Sequence, residues 1–343
     1  MKLSAYFMAV VASTASSAWA ACTETPPWVQ CANLPHERQL ECYDAASQRY
    51  LAEQHATQPA AEEATSSFDW KLDRMWPEGN EIERSKALAG LLLQYKRNYL
   101  MIDSVYAPAA APGSPNPANN VTAADQFTSS ETKLQASVKA RLPVTWPWGD
   151  SIWVAYTQQS HWQSFNGGES RPFRETDYGP EIIFLSHRFG DDVPALGRFT
   201  PRLANFAFVH QSNGQSLPRS RSWNRLTAEL GSEYRFDTDD DRRFTMLVKP
   251  WWRVSRGDKN DDNPDIVKYL GHGEVSLNYW QDRTQYALLL RERAVQLDWS
   301  FPLWIKSLNS ADLHLQYFNG YGHSLIDYNH KLHSFGVGIS LPY

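Results

Sequence analysis

The chain has 343 residues and a net charge of −5, so it offers none of the basic excess that nucleic-acid binding needs. It holds 14 Trp, 16 Tyr and 15 Phe but only 3 Cys, and its mean hydropathy is negative. After the first twenty residues no run reaches the ~18 apolar positions of a transmembrane helix. A membrane-spanning β-barrel survives that exclusion, because only every second residue of its strands is apolar.

Met1-Lys2 leads an apolar run ending Ala18-Trp19-Ala20, which reads as a signal peptide over residues 1–20. Trp19 stands where a lipoprotein signal ahead of Cys22 would want Leu, so export without a lipid anchor is expected. Residues 21–95 read as a small helical and irregular periplasmic extension that carries Cys22, Cys31 and Cys42. In an oxidising compartment two of the three pair; any of three pairings is possible and Cys31–Cys42 is preferred. Their spacing matches no zinc pattern. His36–Gln54 reads as an amphipathic helix, His55–Ser67 as a flexible linker and Glu81–Tyr95 as a second short helix.

From residue 96 onward the texture becomes ~10-residue alternating segments separated by turn signals. They run over 97–106, 131–143, 151–164, 175–189, 202–213, 220–234, 242–254, 267–281, 283–291, 294–303, 310–319 and 331–343. In the last, Phe335, Val337, Ile339, Leu341 and Tyr343 share one face; Leu313, Leu315 and Tyr317 alternate with His314 and Gln316. The fold expected for 96–343 is all-β, a transmembrane antiparallel barrel of about 12 strands. A soluble sandwich would need a second sheet to cover these apolar faces, and none is evident. With both ends in the periplasm, connections 165–174, 213–221 and 255–266 fall at the cell surface. Trp146–Gly149 and Asp237–Arg242 become periplasmic turns.

One of those surface hairpins concentrates chemistry. In Asn205–Leu226, NFAFVHQSNGQSLPRSRSWNRL, the residues Phe206, Phe208, His210 and Ser212 share a face of one strand. Asn213-Gly214 and Pro218 break it, and a turn centred on Leu217 sets His210 opposite Asn224. A hydroxyl, an imidazole and a carboxamide then meet on the apolar, outward row. Nucleophilic hydrolysis uses such a set: a base to take the Ser proton and a third group to hold that base. Polar groups aimed at lipid are costly and mark function, so a lipid ester is the expected substrate.

HQSNGQSLPRSRSWNR closely resembles the active-site segment of the outer membrane phospholipase A family. The resemblance extends to YTQQSHWQSFNGGESRPFRETDYGPE, KPWWRVSRGDKNDDNPDIVKYLG and NGYGHSLIDYN, and covers roughly 96–343. It implies a calcium-dependent phospholipase acting on membrane phospholipids as a homodimer, with Ser212 as nucleophile, His210 as base and Asn224 orienting His210. The backbone N–H of Gly214 is the oxyanion donor that glycine's close approach favours. The calcium ligands implied are the Gln215 carbonyl, the Ser220 hydroxyl and the Ser170 carbonyl of a second subunit, with Asp262 in an auxiliary calcium role. Gln158 matches a dimer-interface position. Gln215 stands where the family has Arg, and Leu217 where it has an acid.

Blander readings compete. A non-catalytic porin or adhesin on the same scaffold would be expected to have lost His210, Ser212 or Asn224, and all three are present. An outer-membrane protease would need acidic residues facing a groove. Asp258–Tyr269 lacks the Gly and Glu of an EF-hand loop. His323, His330 and His333 read as solvated loop histidines rather than a metal cluster.

Overall fold

Alternation in these strands runs opposite to that of a soluble protein. In Leu332–Ser340, Phe335, Val337 and Ile339 are 49%, 40% and 40% exposed, while Ser334 and Ser340 are buried. In Asp312–Gly320, Tyr317 is exposed while His314 and Gln316 are buried. Apolar side chains point outward and polar ones inward, which is stable only where the outside is hydrocarbon. The computed structural model describes residues 31, 34–35, 37–40, 42–43, 45–46, 70–77, 92–106, 111–122, 127–147, 149–169, 172–234, 236, 241–254, 261–303 and 310–342. The signal-peptide segment, Cys22, Ser170, Tyr343, the linker and the 81–91 part of the expected second helix lie outside them.

The strands are β1 (Leu93–Gln94), β2 (Tyr99–Tyr106), β3 (Ser130–Thr145), β4 (Ser151–Trp162), β5 (Phe173–Arg188), β6 (Phe199–Ser212) and β7 (Ser222–Tyr234), followed by β8 (Arg242–Val254), β9 (Gly273–Gln281), β10 (Thr284–Arg291), β11 (Ala294–Pro302), β12 (Asp312–Gly320) and β13 (Leu332–Ser340). Each of β2–β13 pairs antiparallel with its chain neighbours, and β13 pairs with β2, Val337 against Ile102. Twelve staves therefore close into an all-β barrel without a free edge. The two-residue β1 adds a short pairing to β3. One expected boundary is corrected: β9 begins at Gly273, because Ile266–Leu270 forms a helical turn, α2, that Gly271 ends at φ 75°. Likewise Leu93–Gln94 is strand rather than the end of a helix.

Aromatic rings band both rims. Trp162 stacks on Phe173 near the long connections, and Tyr286 on Trp299 near the short turns. The compact barrel unit, Phe68–Tyr343, takes in residues that the sequence had grouped with the preface. Helix α1 (Lys71–Met75) enters the barrel, and both carboxylate oxygens of Glu233 accept its first N–H groups, from Lys71 and Leu72. Trp76 packs with Tyr95, Trp153, Ala155, Ile183, Leu203 and Ala207, closing the short-turn end with hydrocarbon. A second apolar plug fills the long-loop end: Trp223, Trp251, Ile266, Leu270, Leu325 and Tyr328. In the separate N-terminal unit, Cys31 and Cys42 are disulfide-bonded, and the described residues Glu37–Leu40, Cys42–Tyr43 and Ala45–Ala46 are helical.

Candidate active site

The hairpin β6–β7 is where outward alternation is interrupted by polar groups. Its inner face is ordinary packing: Ala207, Val209, Trp223 and Thr227 are buried. Trp223 belongs to the upper plug and its indole N–H donates to Gln211 Oε1 at 3.0 Å, so the hairpin is braced from inside. On the outer face Phe206 and Leu226 are both 44% exposed, and the row continues into half-buried His210, Ser212, Ser222 and Asn224. The register matches the expected one, with His210 opposite Asn224 and Ser212 opposite Ser222. His210 Nδ1 and Asn224 Oδ1 are 2.7 Å apart, so Nδ1–H donates to the amide oxygen and Nε2 is left as the basic nitrogen.

Ser212 lies two residues beyond His210 on the same row. Among the described residues its hydroxyl has no hydrogen bond, and neither has His210 Nε2. A shared strand face spaces such side chains by about 7 Å at the backbone, and rotation about χ1 brings the two tips toward one another. A nucleophile–base contact often tightens only when substrate arrives.

Two residues past Ser212, Gly214 has φ +63°, and a Cβ there would come within 2.9 Å of the Tyr178 ring. Only glycine fits that approach without strain. Buried Asn213 shapes the turn: its Oδ1 accepts N–H bonds from Gln215 and Arg221, and its Nδ2 donates to the Arg219 carbonyl. From the lumen side, buried Glu175 accepts from the Gln215 side chain at 2.9 Å and from the Ile326 N–H.

Beside this turn lies an oxygen-rich cluster. Ser220 Oγ and Ser222 Oγ donate to Asp262 Oδ2 at 2.8 and 3.1 Å, and Asn119 Nδ2 donates to Asp262 Oδ1 at 3.2 Å. Asn119 Oδ1 is buried without a partner among the described residues. Hard oxygens of this kind are what calcium selects, and an orphaned carbonyl oxygen at their edge is consistent with a cation there. The structure brings Ser220 and Asp262 together and adds Ser222 and Asn119, neither of which the sequence reading assigned to this cluster. Neither carries a local motif, and Asn119 reaches Asp262 across 143 positions of chain. The Gln215 carbonyl lies on the same turn. Exposed Leu217 brings no oxygen where an acid was expected. Gln158 sits on β4 with Nε2 to Ser160 Oγ at 3.3 Å, and its Oε1 accepts from the Tyr156 hydroxyl. That polar patch lies on the outward row with exposed Val154, Tyr156 and Trp162.

His323 departs from expectation. It is a buried group inside the barrel mouth, with Nε2 3.1 Å from both Asp103 Oδ2 and Lys133 Nζ. Its ring edges onto that of His161, whose Nδ1 lies 2.6 Å from Glu131. Glu131, His161 and His323 could present ligand atoms within 4.8 Å of one another. Lys133 and Arg174 already fill the places a cation would take, with Arg174 donating twice to Glu131. His330 and His333 remain partly exposed at the rim.

Comparison with known proteins places this geometry. The Phospholipase A1 family model matches residues 72–341. A Neisseria meningitidis serogroup B relative is 39% identical over 269 residues, 74% of this chain and 66% of that one. Phospholipase A1 of Escherichia coli K12 is 34% identical over 235 residues, 65% of this chain and 75% of that one. The solved outer membrane phospholipase A from Escherichia coli superposes with TM-score 0.61 at 29% identity, covering 76% of this chain and 95% of that one. The Salmonella typhi outer membrane phospholipase, solved as a dimer with bound calcium, gives TM-score 0.62 at 29% identity over 75% of this chain and 94% of that one. The chain belongs to the phospholipase A1 family and has its twelve-stranded outer-membrane barrel fold.

Proposed function

We propose that this phospholipase hydrolyses the acyl esters of phospholipids and lysophospholipids at the outer leaflet of the outer membrane, with the long-loop rim at the cell surface. The leader, residues 1–20, is removed on export. The reading rests above all on one observation: an outward-facing imidazole, held by a carboxamide at 2.7 Å, shares its lipid-side row with Ser212.

His210 Nε2 takes the Ser212 proton as Oγ attacks the ester carbonyl; the tetrahedral adduct then collapses to acyl-serine, and the departing lysolipid alcohol takes that proton from His210. Water, deprotonated by the same nitrogen, then cleaves the acyl-enzyme. Asn224 keeps Nδ1 as donor throughout; being neutral, it stabilises imidazolium less than a carboxylate would. The Gly214 N–H stabilises the developing oxyanion, a contribution worth about 3–4 kcal/mol per donor. A calcium ion held by Ser220, the Gln215 carbonyl and Asp262, with the Ser170 carbonyl of the partner subunit, would supply positive charge near that oxyanion. Such sharing would couple homodimer formation to activity. Gln158, on the outward β4 row, would meet its symmetry mate across the interface.

Release of fatty acid from phospholipid vesicles by the purified full-length protein, with and without EDTA, tests this. Calcium-dependent release is expected; no release from any phospholipid would overturn it.

A further inference from the structure

The connection between β2 and β3 contributes a described segment, 111–122, that is folded down onto the oxygen cluster beside the nucleophile turn. Asn116 Oδ1 accepts from the Ala118 N–H, which starts a single 3₁₀ turn over Pro117–Asn119. That turn delivers Asn119 to the cluster, fully buried, with Nδ2 on the Ser220 carbonyl at 2.8 Å and on Asp262 Oδ1 at 3.2 Å. Ser114 Oγ donates to the Asp262 carbonyl at 2.6 Å, and Asn116 Nδ2 to that of Asp261 at 3.0 Å.

The underside is fixed by Arg221, whose side chain is also buried. Nη2 donates to the carbonyls of Gly113 (3.1 Å) and Asn119 (2.9 Å), and Nη1 to those of Pro218 (3.3 Å) and Ser220 (2.8 Å). One guanidinium therefore ties the first long connection to the nucleophile turn. The carboxamide it positions is not saturated, since Asn119 Oδ1 has no partner among the described residues. Burying a carbonyl oxygen with nothing to accept from is unfavourable, and such an atom beside a carboxylate invites a cation.

The number of oxygens points the same way. Calcium takes six to eight oxygens, and exposed Leu217 supplies none where the family resemblance expects an acid. Within one chain the Ser220 and Ser222 hydroxyls, the Gln215 carbonyl and the Asp262 carboxylate still fall short of that number, so one more protein oxygen has a place to fill.

We propose that Asn119 is part of the divalent-cation site of this chain: its carboxamide aligns Asp262 and the Ser220 main chain, and its Oδ1 supplies an oxygen to the ion. The inference rests on the calcium reading given above and goes beyond it by assigning a ligand to the β2–β3 connection. Arg221 acts as a positioning residue for that ligand. A bound ion would leave the chain closed around it by three connections rather than two.

Calorimetric titration of the full-length protein in detergent with calcium alone tests this, together with melting in EDTA. Asn119→Ala should weaken calcium binding by about tenfold or more, the range seen when groups orienting a ligand are removed. Asn119→Asp adds a charge to the site and should tighten binding by a similar factor. In EDTA Asn119→Asp should melt earlier than the parent, because it loses both Nδ2 donations and sets a second carboxylate against Asp262, and calcium should restore most of that loss. A dissociation constant within twofold of the parent's for both variants overturns the proposal. So does an Ala variant that melts earlier yet binds calcium as before, because Asn119 is then only a staple. If Asn119→Ala does not fold, the Asp variant decides by the direction of its change. A parent protein that gives no calcium heat removes the calcium reading and this inference together, and vesicle hydrolysis in EDTA then shows whether the esterase reading stands without them.

Discussion

Two histidine arrangements lie at the same end of this barrel, one on each side of its wall. Outside, His210 shares one hydrogen bond with a neutral amide and keeps Nε2 without a partner among the described residues, beside an unengaged hydroxyl. Inside, His161 is fully buried, Nδ1 against Glu131 and Nε2 2.9 Å from Gln159, and Glu131 is held by Arg174 as well. His323 is similarly enclosed by Asp103, Lys133 and His161. By residue type the inner set is the better match to a catalytic or metal centre, since it has carboxylates where the outer one has only Asn224. Most of its nitrogens and oxygens are used by one another, however, His323 Nδ1 and Asp103 Oδ1 being the exceptions among the described residues, and the whole group faces the lumen and not the lipid. The outer set is weaker in charge and richer in unspent capacity. Reactivity toward a lipid follows what a side chain has left over on the lipid side, and largely satisfied polar networks hold a lumen together.

That contrast can be broken first at the outer site. Ser212→Ala should lower kcat by about 10³-fold or more while leaving a folded, heat-modifiable barrel, because the proposed covalent path runs through the Ser212 hydroxyl. Fatty-acid release from vesicles and gel mobility before and after heating give both halves of the answer. Asn224→Ala should cost about a hundredfold, since the imidazole loses its tautomer lock but keeps its basic nitrogen. Asn224→Asp should recover most of that loss. If instead Asn224→Ala is silent, the 2.7 Å contact is decoration.

The inner network should respond in the other currency. His161→Ala removes a buried partner of Glu131 and should destabilise the barrel by about 1–3 kcal/mol, read as an earlier thermal transition. Turnover at saturating substrate should stay within about threefold of the parent at temperatures where the barrel is folded. A loss as large as that of Ser212→Ala would mean the two sides of the wall do one job.

How far each region could be read from sequence follows the same division. The outer row was legible because it is local: a period of two places His210 and Ser212 together, and one turn centre fixes Asn224 opposite. The closing strand was legible for the same reason, Phe335, Val337 and Ile339 all facing out. Residues 267–270 were misread as strand, since Val267 and Tyr269 alternate well enough and a five-residue helix is too short for its 3.6 period to stand out. Asn119 and His323 were out of reach for a different cause. Each takes its meaning from partners far along the chain, Asp262 and Asp103, and a connection that folds back into the barrel mouth keeps the composition of a solvated loop.

His323 gives the smallest effect and the most specific one. Burial, with Lys133 adding to it, pulls its pKa down to about 4 from 6.5, against the pull of Asp103. The folded chain therefore keeps this ring neutral at pH values where the unfolded chain has already protonated it. Stability from His323 is complete above about pH 6.5 and is lost progressively as pH falls from there toward 4. Between pH 8 and pH 6 the loss is about 1 kcal/mol, a shift of a few degrees in Tm. His161, Lys133 and Asp103 all face the same ring, so the parent's acid sensitivity contains their terms as well. Replacing His323→Gln removes this ring's own term, and the parent-minus-variant difference in Tm across pH 8 to 6 isolates it. A difference that instead grows as pH falls would show that His323 is protonated in the fold already, with Asp103 as its counter-ion, and would turn the inner arrangement from a neutral hydrogen-bonded network into a buried ion pair; a flat difference would mean that burial does not shift this ring at all.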